Sequence, residues 1–208
     1  AAKEKTVFFC KSCGNESPKW FGKCPACGEW NTCTESTTVT GKDAKSVRKS
    51  LTTDKAVPVP VKEITNAREE RIVLPYAELN RVLGGGLVLG SLTLVGGEPG
   101  IGKSTLLLQT ALQLSGKKVL YISGEESQNQ IKMRAERIGI QNENCFILTE
   151  TNTQEILQHF KDVNPDIVVI DSIQTLESPY VDATAGSLSQ IRETAAEMNK
   201  IAKTYQVP

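Results

Sequence analysis

The segment from Gly97 to Thr105 constrains the fold of this 208-residue chain more than any other. It reads GEPGIGKST and fits the pattern G-x-x-x-x-G-K-[ST]. Glycines let the backbone curl so that successive N–H groups point inward, as an anion-binding loop requires. The pattern needs a strand before it and a helix after it, which the apolar stretch Ser91–Gly96 and the segment Lys103–Ser115 predict. The sequence therefore predicts a phosphate-binding loop between a strand and a helix.

The side chains of this loop suit ATP with Mg²⁺. Lys103 supplies charge to the β- and γ-phosphates, and the Ser104 hydroxyl is placed to ligate the magnesium ion. The Thr105 hydroxyl is predicted to reach the α-phosphate. The predicted nucleotide-binding residues are Gly97, Glu98, Pro99, Gly100, Ile101, Gly102, Lys103, Ser104 and Thr105. The alternative is a glycine-rich turn that binds no ligand.

Acidic residues complete the predicted catalytic set with Lys103. The run Ile167–Asp171 predicts a buried strand whose terminal Asp171 holds magnesium through its water shell. Glu125 and Glu126 follow another predicted strand, at the carboxyl edge where open α/β sheets bind ligands. We predict that Glu125 orients the attacking water as catalytic base, with Glu126 as second choice. Alternatively, Asp171 starts a turn, and both glutamates stabilise the N-terminus of the following helix through its dipole.

Strands and helices alternate through the second part of the chain. Besides Ser91–Gly96 and Lys103–Ser115, the predicted strands are Lys118–Ser123, Cys145–Thr149 and Ile167–Asp171, and the predicted helices open at Ser127, Gln154 and Ser187. This alternation predicts an α/β fold, with a mostly parallel sheet and flanking helices. Because Tyr205–Pro208 resembles the lead-in to a further strand, we expect the chain to be truncated within its fold.

Two C-x-x-C-G motifs near the start predict a small metal-binding ribbon. They are Cys10-x-x-Cys13-Gly14 and Cys24-x-x-Cys27-Gly28. Four thiolates at this spacing suit tetrahedral Zn²⁺ with no open position, which makes the metal structural. A segment this small has too little core to fold alone, so the metal is a folding requirement. Disulfides are the alternative, and Cys33 is a further thiol that could compete as a ligand.

Composition divides the chain into a zinc ribbon at 1–33, a flexible linker at 34–56 and an ATPase core at 57–208. The linker is rich in Thr, Ser and Lys and nearly lacks large apolar side chains, which favours disorder. Its cations Lys42, Lys45, Arg48 and Lys49 suit a solvated linker or an arm that contacts phosphates. No apolar run is long enough to span a bilayer and no secretory signal is evident, so we expect a cytoplasmic protein without membrane contact.

Aromatic and basic residues alternate inside the ribbon. The run Lys19-Trp20-Phe21-Gly22-Lys23 lies between the two motifs, and Trp30 follows them. Such residues suit base stacking beside phosphate contacts on single strands. They suit equally well the small core of the ribbon, or a docking face for a partner protein.

With these motifs in order, the sequence resembles the bacterial RadA (Sms) family of DNA repair and recombination proteins. The most specific stretches of the resemblance are Cys10–Trp30, Glu78–Gly86, Gly90–Thr105, Tyr121–Ser127 and Val169–Thr175. The family implies a RecA-like core in a hexameric ring that moves on single-stranded or branched DNA and promotes branch migration using ATP. It also implies a RecA-type recombinase as partner, Glu125 as the water-activating residue and Glu177–Gly186 as a DNA-facing loop.

Two departures from the family pattern affect these expectations. Leu89 stands where the family often has proline. The family also continues beyond residue 208, with further strands, a Lys-Asn-Arg-Phe-Gly motif and a Lon-protease-like domain. We therefore expect this chain to hydrolyse ATP poorly and to unwind nothing. Two rival functions stay open: a RecA-like ATPase that switches protein partners, with the ribbon as docking module, and a nucleotide-binding structural module without turnover.

Overall fold

An antiparallel sheet forms the N-terminal part of the computed structural model, which describes residues 3–10, 15–40, 58–63 and 70–208. Its strands are β1 (Lys3–Cys10), β2 (Glu16–Ser17) and β3 (Cys33–Thr40), in the order β2-β1-β3. Strand β1 pairs with β3 along its whole length.

Strand β3 corrects the prediction that a flexible linker begins at residue 34. The segment is rich in Thr and ends on Val39 and Thr40, and β-branched residues fit a pleated strand. Pairing with β1 satisfies its backbone groups, which a count of apolar residues does not reveal. The rest of the predicted linker, residues 41–56, lies outside the described residues.

A short antiparallel hairpin precedes the phosphate loop. After a 3₁₀ turn at Val61–Glu63, strand β4 (Arg71–Ile72) pairs with β5 (Leu87–Val88), and helix α1 (Ala77–Val82) connects them. Arg71 donates hydrogen bonds from its guanidinium to the carbonyls of Leu83 (2.9 Å) and Gly86 (3.3 Å), which closes the connection. The hairpin thereby fixes the backbone just before the predicted nucleotide site.

Helices and parallel strands alternate through the remainder of the chain. They are α2 (Lys103–Gln113), β6 (Val119–Ser123), α3 (Gln128–Ile138), β7 (Cys145–Leu148), α4 (Thr153–Val163), β8 (Ile167–Asp171) and α5 (Leu188–Tyr205). Strand β6 pairs in parallel with β7 on one side and with β8 on the other. The predicted α/β class with a parallel sheet is confirmed.

Capping side chains begin three of the helices, and the predicted cap at Ser127 is confirmed, whereas α2 ends at Gln113 and not at the predicted Ser115. The Ser127 hydroxyl accepts a hydrogen bond from the Gln130 backbone N–H, and the Gln130 side chain accepts one from the Ser127 N–H. Gly139 ends α3 in the left-handed conformation, with φ 74°. Asn152 and Ser187 cap α4 and α5 through their side-chain oxygens. These contacts satisfy backbone donors that a helix leaves unpaired at its N-terminus.

Strand β6 is buried on both faces and organises the core. Because side chains alternate along a strand, Val119 and Tyr121 face one side while Leu120 and Ile122 face the other. The first pair packs with Leu108, Ala111, Leu112, Ile131 and Ile167, among others, and the second with Ile156, Phe160, Leu176 and Met198. Each fully buried large apolar side chain contributes roughly 1.5–3 kcal/mol, so β6 is held firmly in place.

Two strand predictions need correction. Strand β8 is buried only at Ile167, and its later residues are half-buried because it has one strand neighbour among the described residues. Ser91–Gly96 is not a strand, and Leu94 is 83% exposed. An apolar run becomes a strand only when another strand accepts its hydrogen bonds, and no described strand pairs with this one.

No helix in the described ranges is long and apolar enough to cross a membrane.

We predict that Gly124→Ala destabilises the chain by about 1–3 kcal/mol, because it overpacks a close contact. A Cβ at Gly124 would lie 2.3 Å from Thr175 Oγ1 and 2.8 Å from Thr151 Cγ2. The measurement is the free energy of unfolding in urea. Gly96→Ala is the matched control, because a Cβ at Gly96 meets no atom within 4 Å. Equal free energies of unfolding for the two variants would contradict the close packing at Gly124.

Candidate functional site

The predicted phosphate loop lies at the start of helix α2. Gly100 and Gly102 adopt positive φ angles of 78° and 102°, a region that favours glycine, and the helix begins at Lys103. The first helical hydrogen bond runs from the Leu106 N–H to the Gly102 carbonyl, at 2.9 Å. Residues 97–102 are exposed. The loop therefore presents its backbone to solvent next to the positive end of a helix dipole.

Lys103 folds back over its own loop. Its ammonium nitrogen donates hydrogen bonds to the carbonyls of Gly97 and Glu98, both at 2.8 Å. Two of its three N–H donors are engaged in this way. The positive charge of Lys103 therefore lies at the predicted phosphate-binding loop. The Thr105 side chain is exposed on the same helix turn.

Asp171 connects three elements at the carboxyl edge of the sheet. The Ser104 hydroxyl, in the first turn of α2, donates to Asp171 Oδ1 at 3.0 Å. The Tyr121 hydroxyl, from β6, donates to Asp171 Oδ2 at 2.7 Å. Ser104 and Asp171, both predicted as magnesium residues, thus lie in direct contact. A carboxylate oxygen accepts more than one hydrogen bond, so the pair could still hold a cation through water.

Burial keeps the Tyr121 hydroxyl a donor. Tyr121 is completely buried, and this desolvation, followed by its hydrogen bond to Asp171, raises the pKa of Tyr121 well above its usual value. The neutral hydroxyl therefore persists across the physiological range and fixes the orientation of the carboxylate.

The two adjacent glutamates have different environments. The Ser172 hydroxyl donates to Glu125 Oε1 at 2.7 Å, and Glu125 is exposed. Glu126 is half-buried and forms an ion pair with Arg134. Glu125 therefore keeps a solvent-accessible carboxylate oriented by a neutral group, whereas the charge of Glu126 is compensated.

A cleft of about 300 Å³ opens beside Glu125. Its lining residues are Ser123, Gly124, Glu125, Glu126, Ser127, Thr149, Glu150 and Thr151. None of the hydrogen bonds in the described part of the chain joins Glu125 to the phosphate loop. The Asp171–Ser172 peptide bond, which separates the magnesium candidate from the partner of Glu125, is cis.

Cysteines of the ribbon converge as metal ligands do. The sulfur atoms of Cys10, Cys24 and Cys27 all lie within 4.8 Å of one another, and those of Cys10 and Cys27 are 3.6 Å apart. Tetrahedral thiolates around Zn²⁺ have sulfur atoms about 3.8 Å apart, whereas a disulfide needs about 2 Å. At 3.6 Å the sulfur atoms of Cys10 and Cys27 are not bonded to each other, and their spacing favours metal ligation over the disulfide alternative. Cys13, the predicted fourth ligand, lies outside the described residues.

Three side chains at the site escaped the sequence analysis: Tyr121, Ser172 and Arg134. Their roles depend on contacts with residues distant in sequence. For Tyr121 a signal was available, since a tyrosine inside an apolar strand usually finds a hydrogen-bond partner for its hydroxyl.

Most of the chain matches one known protein family. Residues 60–208 match the family described as AAA domain, a span that contains the phosphate loop and Asp171. The chain belongs to the AAA domain family. Residues 8–35, ahead of the AAA domain, match a rubredoxin metal binding domain, and this span contains the cysteine cluster.

Curated relatives extend over the ribbon and the AAA domain together. The chain is 49% identical to a DNA repair protein RadA of Bacillus subtilis, over 100% of this chain and 46% of that protein. It is 48% identical to a DNA repair protein RadA of Listeria monocytogenes, over 99% of this chain and 45% of that protein. These matches confirm the resemblance to the RadA family. The chain spans about half the length of these relatives.

A solved structure also matches part of the chain. The crystal structure of the RadB recombinase is 30% identical, with a TM-score of 0.46, and the match covers 64% of each chain.

We predict that Tyr121→Phe flattens the alkaline pH dependence of stability of the AAA domain. Because folding raises the pKa of Tyr121, its contribution is complete below the unfolded pKa near 10 and is lost as the pH rises further. Between about pH 8 and pH 11, the parent chain should lose roughly 1 kcal/mol more unfolding free energy than Tyr121→Phe.

Urea unfolding at the two pH values measures this difference. Tyr180→Phe, at an exposed tyrosine, should keep the pH dependence of the parent chain. A Tyr121→Phe variant with the parental slope would show that Tyr121 titrates alike in the folded and unfolded chains.

Proposed function

We propose that this chain is the ATP-binding and ATP-hydrolysing part of a DNA-directed motor that acts in recombination and repair. The observation that carries the proposal is the 3.0 Å contact between Ser104 and Asp171, residues 67 positions apart in sequence. Relatives named DNA repair protein RadA and the AAA domain match support it. In this proposal the motor promotes branch migration of recombination intermediates.

The phosphate loop is the proposed site for the triphosphate of ATP. Backbone N–H groups of residues 97–102 bind phosphate oxygens, Lys103 turns from its loop carbonyls toward the β- and γ-phosphates, and Thr105 contacts the α-phosphate. Ser104 and Asp171 would hold Mg²⁺, directly or through water. When bound, this ion neutralises negative charge on the phosphate oxygens.

Glu125 is the proposed catalytic base. Its exposure beside the cleft lets a water molecule approach, and the single hydrogen bond from Ser172 orients its carboxylate without neutralising it. Glu126 is less suited to this role because its charge is already paired with Arg134. In this proposal Ser172 positions Glu125 and does not itself contact ATP.

The cysteine cluster is the proposed structural zinc site. Cys10, Cys24 and Cys27 would supply three thiolates, with Cys13 as the fourth. The Cys10 sulfur also lies 3.1 Å from the Thr32 hydroxyl, which suits a ligand oriented by a neighbouring polar group. Zinc with four thiolates has no open position, so the proposed role is to fold the ribbon.

The loop Glu177–Gly186 is the proposed DNA contact of the core. The buried Gln190 side chain clamps it, accepting from the Ser178 N–H at 2.9 Å and donating to the Val181 and Ala183 carbonyls at 2.9 and 3.0 Å. A loop held in one shape loses less entropy on binding. We propose that the complete protein forms a hexameric ring and works with a RecA-type recombinase.

We predict that Glu125→Gln lowers ATP hydrolysis by about 10²–10⁴-fold without weakening ATP binding, because the amide cannot accept the proton of the attacking water. Single-turnover hydrolysis by the complete protein and nucleotide affinity are the two measurements. Glu126→Gln is the matched control at the neighbouring carboxylate and should hydrolyse ATP at close to the parental rate. Normal hydrolysis by Glu125→Gln, or a loss confined to Glu126→Gln, would move the base away from Glu125.

A second candidate function is a partner-switching ATPase whose ribbon docks proteins. The exposure of Trp20 and Trp30 on the ribbon favours an interaction role for it.

We predict that single-stranded DNA stimulates the ATPase of the complete protein and that the stimulation weakens as salt rises. Each lysine or arginine that neutralises a phosphate releases a counterion, so salt opposes binding. The measurement is the ATPase rate at two salt concentrations, with and without DNA. Stimulation by a protein fraction alone would favour the partner switch, and ATP binding without turnover would favour the structural module.

A further inference from the structure

The two tryptophans of the chain lie exposed on the ribbon. Trp20 is 66% exposed and Trp30 is 68% exposed, and the sequence contains no other tryptophan. Tryptophan is the largest side chain, and proteins usually bury most of it. Neither tryptophan ring therefore forms the core of the ribbon, which removes that reading for Trp20 and Trp30.

Backbone contacts hold the two tryptophans in one small unit. Lys23 and Trp30 form an antiparallel bridge, and the Asn31 N–H donates to the Gly22 carbonyl at 2.9 Å. A Cβ on Gly22 would meet the Trp20 ring at 3.4 Å, so this ring lies over the same junction. The segments that carry the two rings are thus fixed against each other and project both rings into solvent.

Lysines accompany both rings. The Lys23 ammonium lies 5.6 Å from the centroid of the Trp30 ring, a cation–π contact. Lys19 is exposed beside Trp20 in sequence. The segment from residue 19 to residue 30 contains two lysines and one acidic residue, Glu29. We name Lys19, Trp20, Lys23 and Trp30 the tryptophan face.

We propose that the tryptophan face binds single-stranded nucleic acid, with bases stacked on the two indole rings and phosphates contacted by the two lysines. This inference rests on the proposed function in that it assumes a nucleic-acid partner. It adds a binding site outside the AAA domain. Stacking needs an open ring surface and tolerates any base, and exposed rings flanked by cations are the recurrent solution for single strands.

The composition of the face favours nucleic acid over a protein partner. Trp20 and Trp30 are the large apolar side chains exposed in the described part of residues 15–34. A stable protein interface buries about 800 Å² per partner around an apolar centre. Isolated rings alternating with lysines match the repeat of base and phosphate better than they match such a centre.

The test is tryptophan fluorescence of the 208-residue chain, excited at a wavelength where its four tyrosines do not absorb, so that the signal reports on the two tryptophans of this face. Oligodeoxythymidylate of about 16 nucleotides is titrated into the chain at low salt, beside an abasic oligomer of equal length. We expect saturable quenching by oligodeoxythymidylate and much weaker quenching by the abasic oligomer. Equal responses to the two oligomers would overturn stacking.

Variants then measure affinity by the anisotropy of labelled oligodeoxythymidylate. Trp20→Ala and Trp30→Ala should each weaken binding by about 5- to 150-fold, which corresponds to the loss of one stacked base. Trp20→Phe and Trp30→Phe should restore most of the affinity, because phenylalanine still stacks. Val61→Ala, an exposed apolar residue outside the ribbon, is the control and should bind normally. Metal content of each variant verifies that the ribbon is folded.

The outcomes separate this inference from the proposed function. A chain that carries both Trp20→Ala and Trp30→Ala could bind oligodeoxythymidylate with parental affinity while DNA still stimulates the ATPase of the complete protein. That result would overturn the proposed binding site on the tryptophan face and would leave the proposed motor function unaffected. The tryptophan variants could instead bind oligodeoxythymidylate normally and lose the stimulation of their ATPase by a protein fraction. That result would assign the tryptophan face to a protein partner and would also overturn the proposed nucleic-acid site. Absence of both DNA binding and DNA stimulation would remove the motor itself.

Discussion

The Asp171 carboxylate is the point on which the site geometry depends. Ser104 reaches it from α2 and Tyr121 from β6, while Asp171 itself ends β8. These elements are fixed by the core, because Tyr121 also packs with Leu108 and Ile131 on one face of the sheet. Apolar packing therefore sets the distance between the phosphate loop and the Asp171 carboxylate. The hydrogen bonds from Ser104 and Tyr121 set the orientation of that carboxylate. A shift of α2 against the sheet would break the Ser104–Asp171 contact and open the core at the same time.

Contacts continue from this point to the loop clamped by Gln190. Ser172, next to Asp171, orients Glu125, and Gly124 approaches Thr175 so closely that no side chain fits between them. Beyond this turn the Glu177 N–H donates to the Thr151 carbonyl at 2.9 Å, and Ser178 meets Gln190. The candidate base and the proposed DNA loop are thus joined by a few packed residues. Such contiguity is the physical basis on which two sites can influence one another.

The capping prediction at Ser127 was accurate, whereas the predicted strand Ser91–Gly96 was wrong. Ser127 and Gln130 cap α3 because both atoms of the motif lie within one helical turn, so four residues sufficed to predict the contact. Ser91–Gly96 has the right apolar pattern for a strand, but pairing is a tertiary property. The contact between Gln190 and the loop Glu177–Gly186 is also a tertiary property. Ser187 indicates the start of α5, but no local pattern shows that the Gln190 side chain points inward and binds this loop. The spacing of Cys10, Cys24 and Cys27 predicted that their sulfur atoms converge, since the ligands of a single metal ion must do so.

Metal ligation by the cysteine cluster would explain how a unit of this size can leave its tryptophans outside. In the described ribbon residues whose burial is defined, Cys10 and Cys24 are the buried ones, and both belong to the cysteine cluster. An ordinary domain of this length would need Trp20 and Trp30 inside to balance its loss of chain entropy. When thiolates and a metal supply that stabilisation instead, the large aromatic rings are no longer needed for folding. They lie at the surface instead, where the proposed single-stranded ligand would cover their exposed apolar area.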